Sequence, residues 1–285
     1  MTMTLQETGT VEEAPRSPAS RKRKRSGPAN TMSPARRTFI WVARITLIVG
    51  FVALWEIAGR RGWVDTVLYG QPSGIWDAMK EYYPSERARA SLTATGQAIG
   101  LAFVIGSVSG TIAGLALGLS KTLNAIVGPF LTPINSIPRI ALAPLFITWF
   151  GLTMTSKVVL AVSIVFFILA ENARGAVRSV DSDLMVMARV VGLRRASLLW
   201  KVVLPSAVPT LFAGLRLTFT YSLLGVVASE MIAATSGLGQ DIVLFSSSYQ
   251  VDTVFAILIE LVVFAVVINT IFSAVERWLL RWQDT

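Results

Sequence analysis

The chain reads as an all-α integral membrane protein with about six transmembrane helices, preceded by a disordered basic tail. Three observations predict this. Of 285 residues, 53% are hydrophobic and only 15% charged, too apolar for an ordinary soluble domain. Six windows approach the ~20 apolar residues that a bilayer core about 30 Å thick asks of a helix. Between the fourth and fifth windows lies a polar segment, Glu171 to Pro209, that holds six of the chain's basic residues.

The tail comes first. Residues 1–37 carry eight Lys or Arg against three Glu, with the block Arg21 to Arg25 at the centre. Pro, Ser, Thr and Gly fill the gaps without apolar periodicity, so this stretch cannot bury enough surface to offset its chain entropy. A positive-inside anchor that also touches anionic lipid is the simplest use of such a run, and a nucleic-acid role is not expected. No small-residue cleavage site closes the first apolar run, so a cleavable signal peptide is not expected. The chain has no Cys and no His. It therefore lacks thiolate and imidazole ligands and every mechanism that uses a His base, leaving little material for a metal site or a nucleophilic triad.

Residues 38–94 hold the first span, Phe39 to Ala58, and a long loop in which Pro72 through Arg89 is expected to form one amphipathic surface helix. Arg44 is read as a snorkelling anchor. The core, 95–278, begins with the second span, Thr95 to Leu119. There Gly106, Gly110, Gly114 and Gly118 recur every four residues, and Gly96 and Gly100 start a similar row. Glycines at that period line one helix face and admit a close neighbour. The third span, Ile126 to Phe150, contains Pro129, Pro133, Pro138 and Pro144, which bend or interrupt a helix. Broken backbone at membrane depth is tolerated only where protein or a water-filled path covers it, which marks Ile137 to Pro144 as a pathway candidate. The fourth span, Val158 to Ala170, is short and borrows from Ser156 before it and from Glu171 to Ala176 after it. Leu211 to Ala234 and Val254 to Val275 complete the six, and residues 279–285 form the C-terminus. Lys and Arg collect in the tail, at Lys121, in 171–209 and at Arg277 and Arg281, which predicts both termini and that loop on the cytoplasmic side.

Within 171–209, Asp181 or Ser182 can cap a short helix through Leu184, Met185, Met187 and Ala188, and Gly192 can end it in a left-handed turn. Nine residues separate Gly192 from Val202, Val203, Leu204 and Pro205. This spacing resembles the EAA loop of the permease subunits of bacterial binding-protein-dependent ABC importers, with Val186, Met187 and Ala188 standing where the motif has E-A-A. The phrases VRSVDSDL, GLRRASLLWKVVLPSAVP and ASEMIAATSGLG look more narrowly like permeases for nitrate, sulfonate or taurine. The likeness covers approximately Thr95 to Trp278.

The resemblance implies an inner-membrane permease that imports a small anion and is not an enzyme. Its coupling helix would present Leu184, Met185, Val186, Met187, Ala188, Gly192 and Leu193, with Leu204 and Pro205 behind them, to separate ABC ATPase subunits. It also implies a second permease copy, an extracytoplasmic solute-binding protein and surrounding lipid as partners. The chain has no Gly-Lys pair and hence no Walker A loop, so ATP and Mg would be used by the partner and no cofactor bound by this chain. Charged and polar residues inside spans are candidates for the solute path: Pro138, Arg139, Ser222, Ser229 and Glu230. Arg139 either favours an anion or binds carbonyls freed by the prolines or pairs with Glu230, while Arg216 is expected to snorkel. Two alternatives remain: a permease of the same family for a pyrimidine-type vitamin precursor, and a membrane-embedded enzyme using Glu171, Asp181 and Asp183.

Overall fold

The computed structural model describes residues 34–193 and 195–279. The disordered-tail expectation, through Ser33, and most of the C-terminal segment lie outside them. Every regular element among the described residues is helical. By its contacts the chain divides into two units, Met1–Gly50 and Phe51–Thr285.

The described part of the first unit is the opening half of α1 (Pro34–Arg60), an apolar helix with no buried residue between Trp41 and Gly50. An apolar helix without protein cover belongs in lipid. Arg44 lies over the Trp41 ring, 5.5 Å from its centroid.

In the second unit the end of α1 is tied to the helices that follow. Trp55 Nε1 donates to the Gly70 carbonyl at 3.1 Å, and the Ser73 amide donates to Glu56 Oε2 at 3.0 Å. Between them run α2 (Thr66–Tyr69) and α3 (Pro72–Tyr82). The single surface helix expected over 72–89 is instead two elements. Pro84 cannot extend α3, and the Ser85 hydroxyl accepts the Ala88 amide at 3.1 Å to start α4 (Glu86–Leu119). This 34-residue helix starts nine residues before the predicted span.

The glycine row of α4 packs against α7 (Met154–Arg178). A Cβ on Gly110 would sit 2.6 Å from the Phe166 carbonyl oxygen, and one on Gly118 the same distance from Val177 Cβ, so only glycine admits this approach. Gly96 and Gly100 have nothing near them and do not extend the seam. Nearby, Phe103 meets Phe219 and Phe272 edge-on at 5.9 and 5.3 Å, and those two rings tilt against each other at 5.6 Å. The fourth span is thus a full-length helix whose ends are more polar than hydropathy alone admits.

The third span breaks as the prolines require. Helix α5 (Lys121–Asn135) carries Pro129 and Pro133, a 3-10 turn spans Arg139–Leu142, and α6 (Ala143–Phe150) has Pro144 in its first turn. The two halves meet at 84°. Next come α8 (Ser182–Val190), a single turn α9 (Arg195–Leu198), a π turn Leu199–Val203 and α10 (Leu204–Ala233). Pro205 lacks the amide that a regular bond to the Lys201 carbonyl needs, which accounts for the widened turn preceding it. Leu204 and Pro205 therefore open α10, the fourth long helix, rather than ending a loop. A separate short helix, α11 (Leu238–Ser247), and the final α12 (Val251–Leu279) close the unit. Among the described residues five helices are long and apolar enough to cross a membrane, and six spans result when the bent α5–α6 pair counts as one.

Candidate functional site

Two ends of the bundle hold the candidate residues, joined by α7. At the C-terminal end of α7, Asp181 starts α8 by accepting the Asp183 amide at 2.8 Å. Gly192 ends it with φ +78°, and the Leu193 amide reaches back to the Ala188 carbonyl at 3.1 Å, the signature of a Schellman turn. Ala188 is buried with Val177, Leu198 and Val203, and Leu193 packs against this group. The other side of α8 is bare: Leu184, Val186, Met187, Val190 and Val191 are all exposed, Val190 at 82%. The Met185 side chain lies outside those described. An exposed apolar face on a short polar-flanked helix has the character of a protein-interaction surface.

At the break in the third span, Arg139 donates to Asn135 Oδ1 and to the Ile134 carbonyl, each at 3.1 Å, and stacks on Phe167 at 4.3 Å. It satisfies backbone freed by the break and does not meet Glu230. Pro138 caps the 3-10 turn and is exposed.

Glu230 has a different partner. Lys157 Nζ donates to Glu230 Oε1 at 3.0 Å and to the Ser236 carbonyl at 2.5 Å. Thr95 Oγ1 lies 2.9 and 3.0 Å from the two carboxylate oxygens, and the Gly239 amide donates to Oε2 at 3.0 Å. Lys157 is 4% exposed and Glu230 1%. Ser222 is equally enclosed, donating to the Ile99 carbonyl at 3.1 Å, and Ser229 is buried beside it on α10. In this conformation the three polar candidates on α10 face the interior of the subunit. Lys157 and Thr95 were not singled out from sequence, because Lys157 sits at a span edge where lysines usually reach water. The available signal was Glu230 itself, an intramembrane acid that requires a cation.

Arg216 does more than snorkel: it forms an ion pair with Glu276 of α12. A neighbouring cluster fixes α11. Arg87 Nε and Tyr82 Oη both donate to the buried Asp241 carboxylate at 2.8 Å. Burial, and then the bond to Asp241, push the Tyr82 phenol well above its usual range, so it stays a donor. The acids of the enzyme alternative do not converge. Glu171 pairs with Arg174 at 2.9 Å, Asp181 caps α8, and Asp183 is exposed.

Residues 102–284 match the family described as binding-protein-dependent transport system inner membrane component. The chain is 29% identical over 252 residues to SsuC of Bacillus subtilis (strain 168), named for aliphatic sulfonates transport, covering 88% of this chain and 91% of the relative. It is 30% identical over 251 residues to the Escherichia coli (strain K12) permease of the same name, covering 88% and 95%. Its fold is similar to a chain of the MetNI methionine ABC transporter in an inward-facing conformation, with TM-score 0.59, 20% identity, and coverage of 66% of this chain and 93% of that one. The glycine-ended α8, the broken third span and the five to six membrane-length helices thus coincide with a family match over more than half the sequence, and the chain belongs to the inner-membrane permease components of binding-protein-dependent ABC importers.

Proposed function

We propose that this permease carries a small organic anion of the sulfonate class, with both termini and α8 on the cytoplasmic side, and that a separate ATPase drives it through α8. The exposed apolar face of α8 carries this reading. That face is held rigidly by Asp181 at one end and by the Gly192 turn at the other, and an ordered apolar knob outside the spans is stable only with a groove to enter. ATP and Mg act in the partner, and this chain binds no cofactor. The remaining partners are a second copy of the chain, an extracytoplasmic solute-binding protein and lipid, with no nucleic acid. The sulfonate class is supported by the two relatives named for sulfonates, and Arg139 beside the helix break is compatible with an anion.

The test uses Leu184→Asp combined with Met187→Asp, which puts charges into the knob without touching the buried side of α8. The ATPase is expected to stop co-purifying while the permease remains in the membrane; undiminished co-purification overturns the coupling role. For the solute, proteoliposomes holding the permease, its ATPase and its binding protein are expected to accumulate an alkanesulfonate upon ATP addition. Absence of sulfonate uptake by a complex that hydrolyses ATP overturns the solute class.

A further inference from the structure

The Glu230 carboxylate is surrounded by donors that come from three other segments. Lys157 of α7 brings an ammonium, Thr95 of α4 a hydroxyl, and Gly239 the N-terminal amide of α11. Thr95 Oγ1 accepts the Leu238 amide at 2.8 Å, which leaves its proton for the carboxylate. An ammonium, a hydroxyl and a helix N-terminal amide converging on one point is the donor set of an oxyanion site. Here a tethered carboxylate fills it.

The resident sits beneath the turn that joins α10 to α11. Residues Ala234 to Gly237 connect α10 to α11, with Gly237 against the carboxylate and the Ser236 carbonyl on Lys157. A Cβ at Gly237, whose φ is +118°, would collide with it. Thr235 and Ser236 are exposed on the other side of this turn. Opening the turn withdraws the Ser236 carbonyl from Lys157 and uncovers the donors. A buried ammonium cannot be left without an anion at acceptable cost, so any movement of Glu230 must be accompanied by a replacement.

We propose that Lys157, Thr95 and the Gly239 amide form an oxyanion-binding site whose resident in this conformation is Glu230, and that the sulfonate group of the solute competes for it when the 234–237 turn opens. The exchange keeps Lys157 paired throughout and gives the solute an affinity for the open turn. This rests on the anionic solute proposed above, but the donor set can be tested apart from it.

The experiment uses the full chain with its ATPase in lipid nanodiscs. Glu230→Ala removes the resident and leaves a space close to the size of acetate. Acetate and methanesulfonate are each expected to raise the melting temperature of this variant by several degrees over chloride at equal ionic strength, with no change in the parent chain. Adding Lys157→Met is expected to abolish the gain. No gain in Glu230→Ala, or an equal gain in the double variant, overturns the site. Should Glu230→Ala fail to assemble, Leu238→Cys in the otherwise unaltered chain, at a buried position where the turn ends, gives a second measurement, since the sequence has no native cysteine. Methanesulfonate is expected to accelerate its reaction with an impermeant maleimide several-fold, and neutral methanesulfonamide not at all; equal rates overturn the competition. Rescue without sulfonate uptake sinks only the substrate reading. Uptake without rescue sinks only this site.

Discussion

A side chain added at Gly192 would meet no neighbour within 4 Å, so the cost of replacing it is a backbone cost. Holding a non-glycine residue at φ +78° takes about 1–3 kcal/mol, with a β-branched residue at the upper end. Gly192→Val is therefore expected to disorder the end of α8 and weaken ATPase association about tenfold or more, measured as a dissociation constant in nanodiscs; unchanged affinity would show that the turn is not needed. Arg139→Gln removes the charge beside the break and keeps an amide for Asn135 and the Ile134 carbonyl. Reduced anion uptake with preserved assembly is expected, and normal uptake kinetics would remove Arg139 from the path. The Lys157–Glu230 pair behaves differently. Lys157→Met strands a buried carboxylate and is expected to cost about 3–5 kcal/mol, whereas Lys157→Met with Glu230→Gln recovers much of that loss. Thermal unfolding of the single and double variants decides it.

At the level of helices, the α4–α7 seam and its surroundings make opposite predictions for the same substitution. Gly110→Ala drives a methyl group into the Phe166 backbone and is expected to lose about 1–3 kcal/mol. Gly100→Ala enters open space and is expected to gain up to about 1 kcal/mol from helix propensity. A melting comparison of the two reads out the seam directly. It also shows what sequence could deliver. A four-residue glycine period marked a helix face but not its extent, since Gly96 and Gly100 share the spacing without a neighbour. The prolines of the third span foretold a break because their chemistry is local, and Gly192 foretold its turn for the same reason. Ser85 caps α4 through the Ala88 amide three residues on, a local signal, whereas Lys157, near the start of α7, is a polar residue whose partner lies far along the chain. Burial of Lys157 depends on Glu230, 73 positions away, and no local pattern records that pairing. Likewise Arg139 met local acceptors rather than the distant Glu230, since Asn135 and the Ile134 carbonyl arrive with its own break.

For the whole molecule, six spans, counting the bent α5–α6 pair as one, and the excess of Lys and Arg in alternate segments predict the orientation. Single cysteines at Val190 and Thr235 test it in a chain without native thiols. Impermeant maleimide is expected to reach Val190→Cys only from the cytoplasmic side and Thr235→Cys only from the outer side; the reverse pattern inverts the topology and with it the role of α8. The basic tail lies outside the matched 102–284 region. Its removal is expected to lower membrane abundance while leaving uptake per inserted complex unchanged.

The glycine seam has a mechanical meaning as well. Side chains that pack between helices usually act as a soft layer, because their rotamers give way under load. Between Gly110 and the Phe166 backbone there is no such layer, and at Gly118 only the Val177 side chain intervenes, so α4 and α7 are expected to bend and tilt as one beam. One tip of that beam leads into α8 and the other carries Lys157. Under the proposed coupling, a push at the first tip would reach the covered carboxylate at the second with little slack to absorb it.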